Sequence, residues 1–382
     1  MKLKIIKIID FYLGNLLIVI FKPLTIILGH ILPINHSLTI KNKITVIKIL
    51  GGGSLVIALP ALLGLRKKFP DVRISLVTMK DVAPFAQTLN IFDEILEIDS
   101  STISSFTLSG IKAYLKTFKT DTIVDLEVHS RISTIFSLLT CARNRIGFYR
   151  ESAFWRKGIS THLLYFNVFS GAYHFYDKAF GLFSVSPCST LECKDHLTAS
   201  WPKVKKEKYQ ICIGHACSDF SPERMLTAEQ WKTIFLRKLA KHAGAEIIFL
   251  GSGKDKPLAE NIIAAVTSDF PSCTFSNLCG KTSLKESLSV LYSSDEFWGV
   301  DSALLHYARI FRIKSSSWWG PTDPQTRLRP IEGLLEEVYY KKIPCSPCVH
   351  VTETPPCRGD NICIQNLFNE EQKDWIPLVW KS

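Results

Sequence analysis

The 382-residue sequence lacks several patterns that would assign it to a common class of protein. It has no arginine-rich helix or arm and no nucleic-acid-binding motif, so nucleic acid is the least favoured partner despite a formal charge of +11. A complete G-x-G-x-x-G is missing, because Val56 stands where the third glycine would be. Its eleven cysteines are an odd number spread unevenly, which argues against a secreted disulfide framework and favours a reducing cytoplasm.

The first 40 residues form an apolar segment without the cleavage site of a secretory signal. Residues 11–21 are an uncharged run, Lys22-Pro23 interrupts it, and residues 24–32 resume it. A spanning helix needs about 20 mainly apolar residues. Three interpretations stay open: a kinked pair of short helices in the cytoplasmic interface, a true span, or a buried helix. The flanking lysines keep the body of the protein on the cytoplasmic side in both membrane interpretations.

From Lys43 onward, strand-like and helix-like segments alternate, which predicts parallel βαβ units. The alternation pauses over residues 150–208 and then restarts, so we predict an α/β chain with two doubly wound domains. A last helix is expected near residues 370–375. The predicted strands lie at residues 44–50, 72–78, 94–98, 122–128 and 145–149, then at 211–214, 246–251, 274–278, 296–300 and 315–319.

Polar side chains follow the predicted strand at residues 296–300. Asp301, Ser302 and His306 occupy the turn and the start of the next helix. Open α/β sheets bind ligands at the carboxyl ends of strands, where helix N-termini face the crevice. Arg224 precedes the first helix of this half, where a guanidinium could neutralise a diphosphate, although a lone loop arginine is usually solvated.

The first half offers a second candidate site. The turn Gly51-Gly52-Gly53-Ser54 joins a strand to a helix, so its N–H groups could bind an anion or merely form a tight turn. Asp125, Glu127 and His129 would share one side of a strand that continues this far, and Arg131 follows them. Three ionisable groups on an apolar strand are costly to bury, which favours a site over a salt-bridged edge.

Four cysteines in the C-terminal tail have the spacing C-x2-C-x8-C-x5-C. Four thiolates could hold a structural zinc, but the gaps match no familiar zinc knuckle, and free or disulfide-linked thiols are the alternatives. The residues are Cys345, Cys348, Cys357 and Cys363.

Residues 43–367 contain the motifs VIKILGGGSLVIALPALLGLRKKFP, DTIVDLEVHSRIS, RIGF, LGSG, GKTSL, GVDSALLHYA and GPTDP, followed by CSPC and CRGDNIC in the tail. In their order and spacing, these motifs together resemble glycosyltransferase family 9, the bacterial ADP-heptose:lipopolysaccharide heptosyltransferases.

The resemblance implies a GT-B fold, with two Rossmann-like domains that face a cleft. We expect a membrane-associating segment at residues 1–40, an acceptor domain at 41–200, a nucleotide-sugar domain at 201–344 and a cysteine-rich tail at 345–382. The implied reaction is inverting and metal-independent, and it uses no cofactor. Its implied partners are a nucleotide-sugar donor such as ADP-heptose, a lipid-linked glycan acceptor and the cytoplasmic face of the inner membrane, to which the chain would be peripherally bound or anchored.

The family pattern assigns roles to individual residues. Ser54 stands where the family has the aspartate that serves as base, so Glu127 or His129 would take the proton instead. Ala303 stands where the family has glycine. Because serine needs a partner to act as a base, a non-catalytic or altered-specificity sugar-nucleotide- or glycan-binding protein is the alternative hypothesis. The donor residues would be Arg224, Asp301, Ser302, Ala303, His306, Gly251 and Thr282, and those on the acceptor side Gly52, Gly53, Asp125 and Arg131.

Overall fold

The computed structural model describes residues 3–31, 34–199, 201, 206–218, 221–349, 357 and 360–368. The chain divides into two compact units between Ser189 and Thr190. The predicted helix near residues 370–375 lies outside the described residues.

The first unit is built on a six-stranded sheet in which every neighbouring pair is parallel, in the order β3-β2-β1-β4-β5-β6. Its strands are β1 Lys43–Ile47, β2 Arg73–Met79, β3 Glu94–Ile98, β4 Thr122–Asp125, β5 Asn144–Tyr149 and β6 His162–Tyr165. Its helices are α1 Leu3–Ile31, α2 Gly52–Lys68, α3 Ala83–Leu89, α4 Ile103–Thr117, α5 Arg131–Leu139 and α6 Ala172–Gly181.

The second unit repeats this architecture, with a parallel sheet in the order β12-β11-β10-β7-β8-β9. Its strands are β7 Gln210–Gly214, β8 Glu246–Phe249, β9 Thr274–Asn277, β10 Glu296–Val300, β11 Lys314–Trp319 and β12 Glu336–Tyr340. Its helices are α7 Thr190–Thr198, α8 Ala228–Lys238, α9 Lys256–Val266, α10 Leu284–Ser293, α11 Ala303–Ile310 and α12 Ile362–Phe368.

Both sheets have the strand order of a dinucleotide-binding Rossmann fold. The order reverses between β1 and β4 in the first unit and between β7 and β10 in the second. Ile47 is paired with Asp125 at the first reversal, and Gly214 with Gly299 at the second. Ligands of open α/β sheets bind outside the carboxyl ends of the strands at such a reversal. The loops after these four strands are therefore the places to look for a site.

The sheets are rigid supports because their strands are buried on both faces. β1, β4 and β10 are apolar and almost wholly buried, as expected for strands covered by helices on both sides. In the second unit, large aromatic side chains fill the space between sheet and helices. Trp231, Phe235, Phe249, Trp298 and Trp318 are each at most 1% exposed. The loops at the carboxyl edge of the second sheet are thus supported by a close-packed aromatic core.

Two local predictions were wrong. The strand predicted at residues 122–128 ends at Asp125. Asp125 Oδ1 accepts from the Glu127 N–H at 3.0 Å, which turns the chain out of the sheet. The N-terminal segment is one helix with Pro23 inside it, rather than two short helices. A proline removes only one helical hydrogen bond, and the helix is held by other contacts described below.

Candidate active site

The loop after β10 carries a buried ion pair. Asp301 is 4% exposed, and its carboxylate Oδ2 lies 3.3 Å from Arg224 Nη1. Nη1 also donates to the Asp301 carbonyl at 2.9 Å, Nη2 to the Ser218 hydroxyl at 3.0 Å and Nε to the Ser221 carbonyl at 3.2 Å. Although burial alone would lower the pKa of Arg224, the Asp301 carboxylate and the Cys217 thiol together outweigh it and raise that pKa. The sequence placed these two residues 77 positions apart, and the structure brings them together.

Helix α11 begins immediately after this pair. Ser302 is its N-cap residue, but the side chain caps no backbone N–H. The Ser302 hydroxyl is buried and has no hydrogen-bond partner within the described residues. Ala303 is the first residue of α11, so its N–H is one of the unpaired donors at the positive end of the helix dipole. A buried donor of this kind is costly unless a ligand satisfies it.

His306 lies one turn into the same helix. It is 7% exposed, and its Nε2 lies 3.9 Å from Asp301 Oδ1. Burial is the main cause that lowers the pKa of His306 to about 4; Asp301 opposes this shift, and the nearby Arg309 and Arg327 contribute to it. The imidazole is therefore neutral at pH 7. It can hydrogen-bond to a ligand without adding a second positive charge beside Arg224.

Sequence reasoning missed three polar residues on this edge. Ser218 follows β7. It is uncharged, but its hydroxyl accepts a hydrogen bond from Arg224 Nη2 and so helps to orient the guanidinium group. Thr322 follows β11, is 1% exposed and has a hydroxyl without a partner in the described chain. His215 also follows β7, and its Nε2 lies 3.0 Å from the Asp255 carbonyl. The sequence contained signals for these residues. The segment HACS, which contains His215 and Ser218, directly follows a strand, and Thr322 lies in the motif GPTDP.

Gly251 and Thr282 lie in the loops after β8 and β9, farther along the same edge. The Gly251 carbonyl accepts from the Gly280 N–H at 3.0 Å, so the two loops are joined. The Thr282 hydroxyl lies 2.7 Å from the Ser287 hydroxyl. These contacts hold the loops in place, and they are separate from the hydrogen bonds around Arg224.

In the first unit, the turn after β1 depends on glycine. Gly51 has a φ of 84°, a conformation that costs a side-chain-bearing residue energy. A Cβ on Gly52 would lie 2.3 Å from the Phe85 ring. Gly53 follows in the first turn of α2, and the Ser54 N–H donates to the Gly51 carbonyl at 3.0 Å. The N–H groups at the start of α2 thus lie at the carboxyl end of β1, where an anion can reach them.

Glu127 clamps this turn. Its Oε1 accepts from Lys48 Nζ at 2.8 Å, from the Ile49 N–H at 2.8 Å and from the Leu50 N–H at 3.0 Å. Burial would lower the pKa of Lys48, but Glu127, together with Tyr176 and Asp125, outweighs it and raises that pKa. All three hydrogen bonds fall on one carboxylate oxygen. The other oxygen, Oε2, keeps its capacity to accept a proton.

Asp125 is committed to a different network. Its Oδ2 accepts from the Ser133 hydroxyl at 2.8 Å and from Arg156 Nη2 at 3.1 Å, and Arg156 is fully buried. Burial raises the pKa of Asp125 to about 6, although Arg156 and Ser133 oppose this. Arg156 also donates to the Glu127 and Ser130 carbonyls, so the pair fixes the loop between β4 and α5.

His129 and Arg131 do not join Asp125 and Glu127, because the strand ends before them. His129 is exposed, with Nε2 3.2 Å from Arg150 Nη1. Arg131 begins α5 and donates from Nε to the Asn15 side chain of α1 at 2.8 Å. The expectation that the ionisable groups share one strand face is therefore wrong, and they diverge into three environments.

Among the described residues, no disulfide bond joins the four tail cysteines to one another. Over the described ranges, no group of three or more histidine, cysteine, aspartate or glutamate side chains is placed to hold a metal ion. The structure therefore adds no support for the predicted zinc at Cys345, Cys348, Cys357 and Cys363. Burial raises the pKa of Cys363 to about 11, and the nearby Cys345, Cys348 and Cys357 contribute to this shift.

Two Rossmann-like units, each with polar groups at the reversal of its strand order, are the architecture of the GT-B fold. Residues 111–357 match the family model of glycosyltransferase family 9 (heptosyltransferase), and the chain belongs to this family.

Curated relatives and solved structures agree with this assignment. The chain is 26% identical over 288 residues to lipopolysaccharide heptosyltransferase 3 of Escherichia coli, which covers 71% of this chain and 81% of the relative. It is 31% identical over 140 residues to lipooligosaccharide heptosyltransferase 2 of Haemophilus influenzae, which covers 34% of this chain and 38% of the relative.

Among solved structures, E. coli ADP-heptose lps heptosyltransferase II is similar in fold, with a TM-score of 0.59 at 17% identity, covering 81% of this chain and 97% of that one. E. coli heptosyltransferase WaaC with ADP has a TM-score of 0.61 at 14% identity, covering 78% and 92%. These likenesses confirm the GT-B fold.

Proposed function

We propose that this glycosyltransferase transfers a heptose from ADP-heptose to the lipopolysaccharide core or a similar lipid-linked glycan. The observation that carries the proposal is the buried Arg224–Asp301 pair beside the unpartnered Ser302 hydroxyl, at the strand reversal of the second unit. Relatives named for this reaction support the choice of donor and acceptor.

The donor diphosphate is held by groups at the start of α11. Arg224 supplies positive charge, while the Ser302 hydroxyl and the Ala303 N–H donate hydrogen bonds to phosphate oxygens. His306, as a neutral imidazole, adds a hydrogen bond without repelling Arg224. Asp301 accepts from hydroxyls of the transferred sugar. These groups stabilise the charge of the departing nucleoside diphosphate, so the proposed reaction needs no metal ion.

The reaction is a single inverting displacement. An acceptor hydroxyl oxygen attacks the anomeric carbon while the bond from that carbon to the diphosphate breaks, and the electron pair leaves with the nucleoside diphosphate. The hydroxyl proton passes to a base. Glu127 is the proposed base, because its Oε1 is fixed by Lys48 and the backbone while Oε2 can take the proton. His129 is the second candidate.

Ser54 has a different role in this proposal. It lies in the first turn of α2 rather than on a strand, and its hydroxyl makes no side-chain hydrogen bond within the described part of the chain. Together with the N–H groups of Gly52 and Gly53, it binds the acceptor. The phosphate groups of a lipid-linked core would suit both this helix N-terminus and the net positive charge.

The test is product formation from ADP-heptose and a heptose-deficient core acceptor, with UDP- and GDP-sugars as competing donors. We expect transfer with ADP-heptose and release of ADP. Tight binding of ADP-heptose without turnover would instead identify a sugar-nucleotide-binding protein. Transfer only from a UDP- or GDP-sugar would keep the enzyme class and refute the donor.

A further inference from the structure

The N-terminal helix α1 is fastened to the first unit by an aspartate. Asp10 Oδ1 accepts from the Ser130 hydroxyl at 2.8 Å and from the Ile132 N–H at 3.0 Å, and Oδ2 accepts from the Arg131 N–H at 3.1 Å. These are donors at the start of α5, so Asp10 caps that helix from outside its own sequence.

The contact continues along α1. A Cβ on Gly14 would lie 2.4 Å from Arg131, and Ile18 is 7% exposed in a cluster with Ile135, Trp155 and Ile159. Ile26 lies against Gly158 farther along the helix. Residues 10 to 26 therefore lie beside the folded unit over a length of about 24 Å. A helix that crossed the bilayer would have to be surrounded by lipid over this same length. The folded unit occupies one side of α1 there, which is incompatible with a span.

The outer side of α1 is apolar and exposed. Residues 5–31 are strongly apolar, yet only 11% of the most apolar 18-residue stretch within them is buried. Tyr12, Leu16, Val19 and Ile31 are 69%, 56%, 71% and 66% exposed. Soluble surfaces rarely expose so many large apolar side chains together.

A second helix extends this surface. Ile103, Leu108, Ile111 and Leu115 of α4 are 71%, 69%, 51% and 67% exposed. Their spacing places them on one side of the helix. An open groove lined by Ile8, Tyr12 and Leu13 of α1 and by Ile103 and Phe106 of α4 joins the two helices. The exposed apolar surface is thus shared by two elements that are distant in sequence.

The charges on these helices are of one sign at the surface. α1 and α4 contain a single acidic residue between them, Asp10, and that residue is turned inward onto α5. Lys7 and Lys112 are exposed and Lys22 is partly exposed, whereas the exposed Lys116 is paired with Glu94 at 3.4 Å. Lysines beside exposed leucine and isoleucine are complementary to anionic headgroups above an acyl layer.

We propose that α1 and α4 together form a membrane-binding surface, and that α1 lies in the plane of a single anionic leaflet without crossing the bilayer. The exposed side chains enter the acyl boundary and the lysines contact the headgroups. This surface belongs to the unit whose α2 turn we assign to the acceptor, but its assignment does not depend on which sugar is transferred.

Vesicle flotation of the full-length protein tests the contribution of α4. The variant Leu108→Ser, Ile111→Ser, Leu115→Ser removes apolar side chains from α4 alone. The matched control Leu191→Ser, Leu236→Ser, Leu335→Ser changes exposed leucines of the second unit, which are 55%, 50% and 70% exposed. On vesicles of phosphatidylcholine mixed with phosphatidylglycerol, we expect the α4 variant to bind about tenfold more weakly and the control to bind as wild type.

An unchanged affinity of the α4 variant would overturn the proposal, because a spanning α1 needs no help from α4. A change from dimer to monomer in light scattering, with flotation unaffected, would assign the surface to a second copy of the chain and would also overturn it. Circular dichroism confirms that the variants are folded. Heptosyl transfer is not measured in this experiment, so its result is independent of the proposed reaction.

Protease treatment of spheroplasts tests the position of α1. With an epitope tag before Met1, an in-plane helix leaves the tag on the cytoplasmic side, protected until the membrane is permeabilised. A spanning helix would expose the tag to added protease in intact spheroplasts, which would overturn the proposal. Extraction of the protein by alkaline carbonate is the expected companion result, and its retention in the membrane pellet would count against an in-plane helix.

Discussion

The two units share a strand order but differ in how the polar groups at the reversal are satisfied. In the second unit, the Ser302 and Thr322 hydroxyls are buried without partners among the described residues. In the first unit, the charged groups at the reversal are paired, Lys48 with Glu127 and Asp125 with Arg156 and Ser133, although Arg156 Nε and Nη1 are buried without partners among the described residues. Unpaired buried donors are stabilised when a ligand arrives, whereas paired charges maintain a loop without one. The hydroxyls of the second unit therefore suit a ligand-completed edge, and the paired carboxylates of the first unit suit a largely self-supporting edge.

The largest expected effect comes from removing the charge of Asp301. Asp301→Asn preserves side-chain shape but weakens the hold on Arg224, and we expect kcat/KM to fall by about 10³-fold. Asp323→Asn, on the neighbouring loop, is the matched control and should keep nearly full activity. Activity assays with purified variants provide the measurement. Near-normal transfer by Asp301→Asn would remove this edge from the site.

His306 should make the second unit sensitive to acid. Its pKa is about 4 when folded and ordinarily 6.5, so the unfolded chain binds the extra proton first. The free energy of unfolding should therefore fall by about 3 kcal/mol as the pH drops from about 6.5 to about 4. In His306→Gln this contribution is absent. Denaturant titrations of both proteins across this range measure the difference, and parallel curves would show that His306 is not buried as a neutral imidazole.

The next effect separates catalysis from support at the first-unit edge. Glu127→Gln keeps an acceptor oxygen for the Ile49 and Leu50 N–H groups but cannot take a proton, so we expect kcat of the folded enzyme to fall by about 10²-fold. The melting temperature should fall as well, because the buried Lys48 loses its carboxylate partner, so kcat is measured well below the melting temperature of the variant. His129→Ala should leave kcat within a few-fold of wild type. Full activity in both variants would exclude both candidate bases, and loss only in His129→Ala would reverse their assignment.

The smallest effect concerns the support of α5. Ser130 remains the N-cap of α5, but Asp10→Ala removes the acceptor of the Arg131 and Ile132 N–H groups and should lower the free energy of unfolding of the first unit by about 1–2 kcal/mol. Asp10→Asn keeps an acceptor oxygen and should lose less. Thermal unfolding of the two variants gives the comparison. Equal stability of Asp10→Ala and wild type would show that the self-supporting edge needs no contribution from α1.

Much of the fold was predictable because parallel strands buried on both faces are continuous apolar runs. β3 and β10 have the predicted bounds; the loop that follows β1 was assigned from its glycines and the loop that follows β10 from its polar residues. β12 was missed because EEVYY shows two acidic residues and little apolar content. Arg309 pairs with Glu336 of that strand at 2.7 Å, a partnership that sequence spacing could not indicate.

The arrangement of the candidate site residues was predictable from sequence in the second unit but not in the first. Asp301, Ser302 and His306 are neighbours in sequence, so helix geometry alone places them together. The environments of Asp125, Glu127 and His129 depend on where β4 ends, and a single side-chain hydrogen bond decides that. Their partners Arg156, Lys48 and Arg150 come from other elements, so only the folded chain could show which carboxylate remains able to act.

The Asp10 cap has a practical consequence for producing the protein. Removing the apolar segment before residue 33 is the obvious route to a soluble sample, and we expect it to release the protein from membranes. It would also leave the first N–H groups of α5 without their acceptor and uncover Ile135 and Trp155, which pack against Ile18. A better design keeps α1 and replaces outward-facing residues such as Leu16 and Val19 with polar ones. Crystallisation and kinetics would then use an intact first unit.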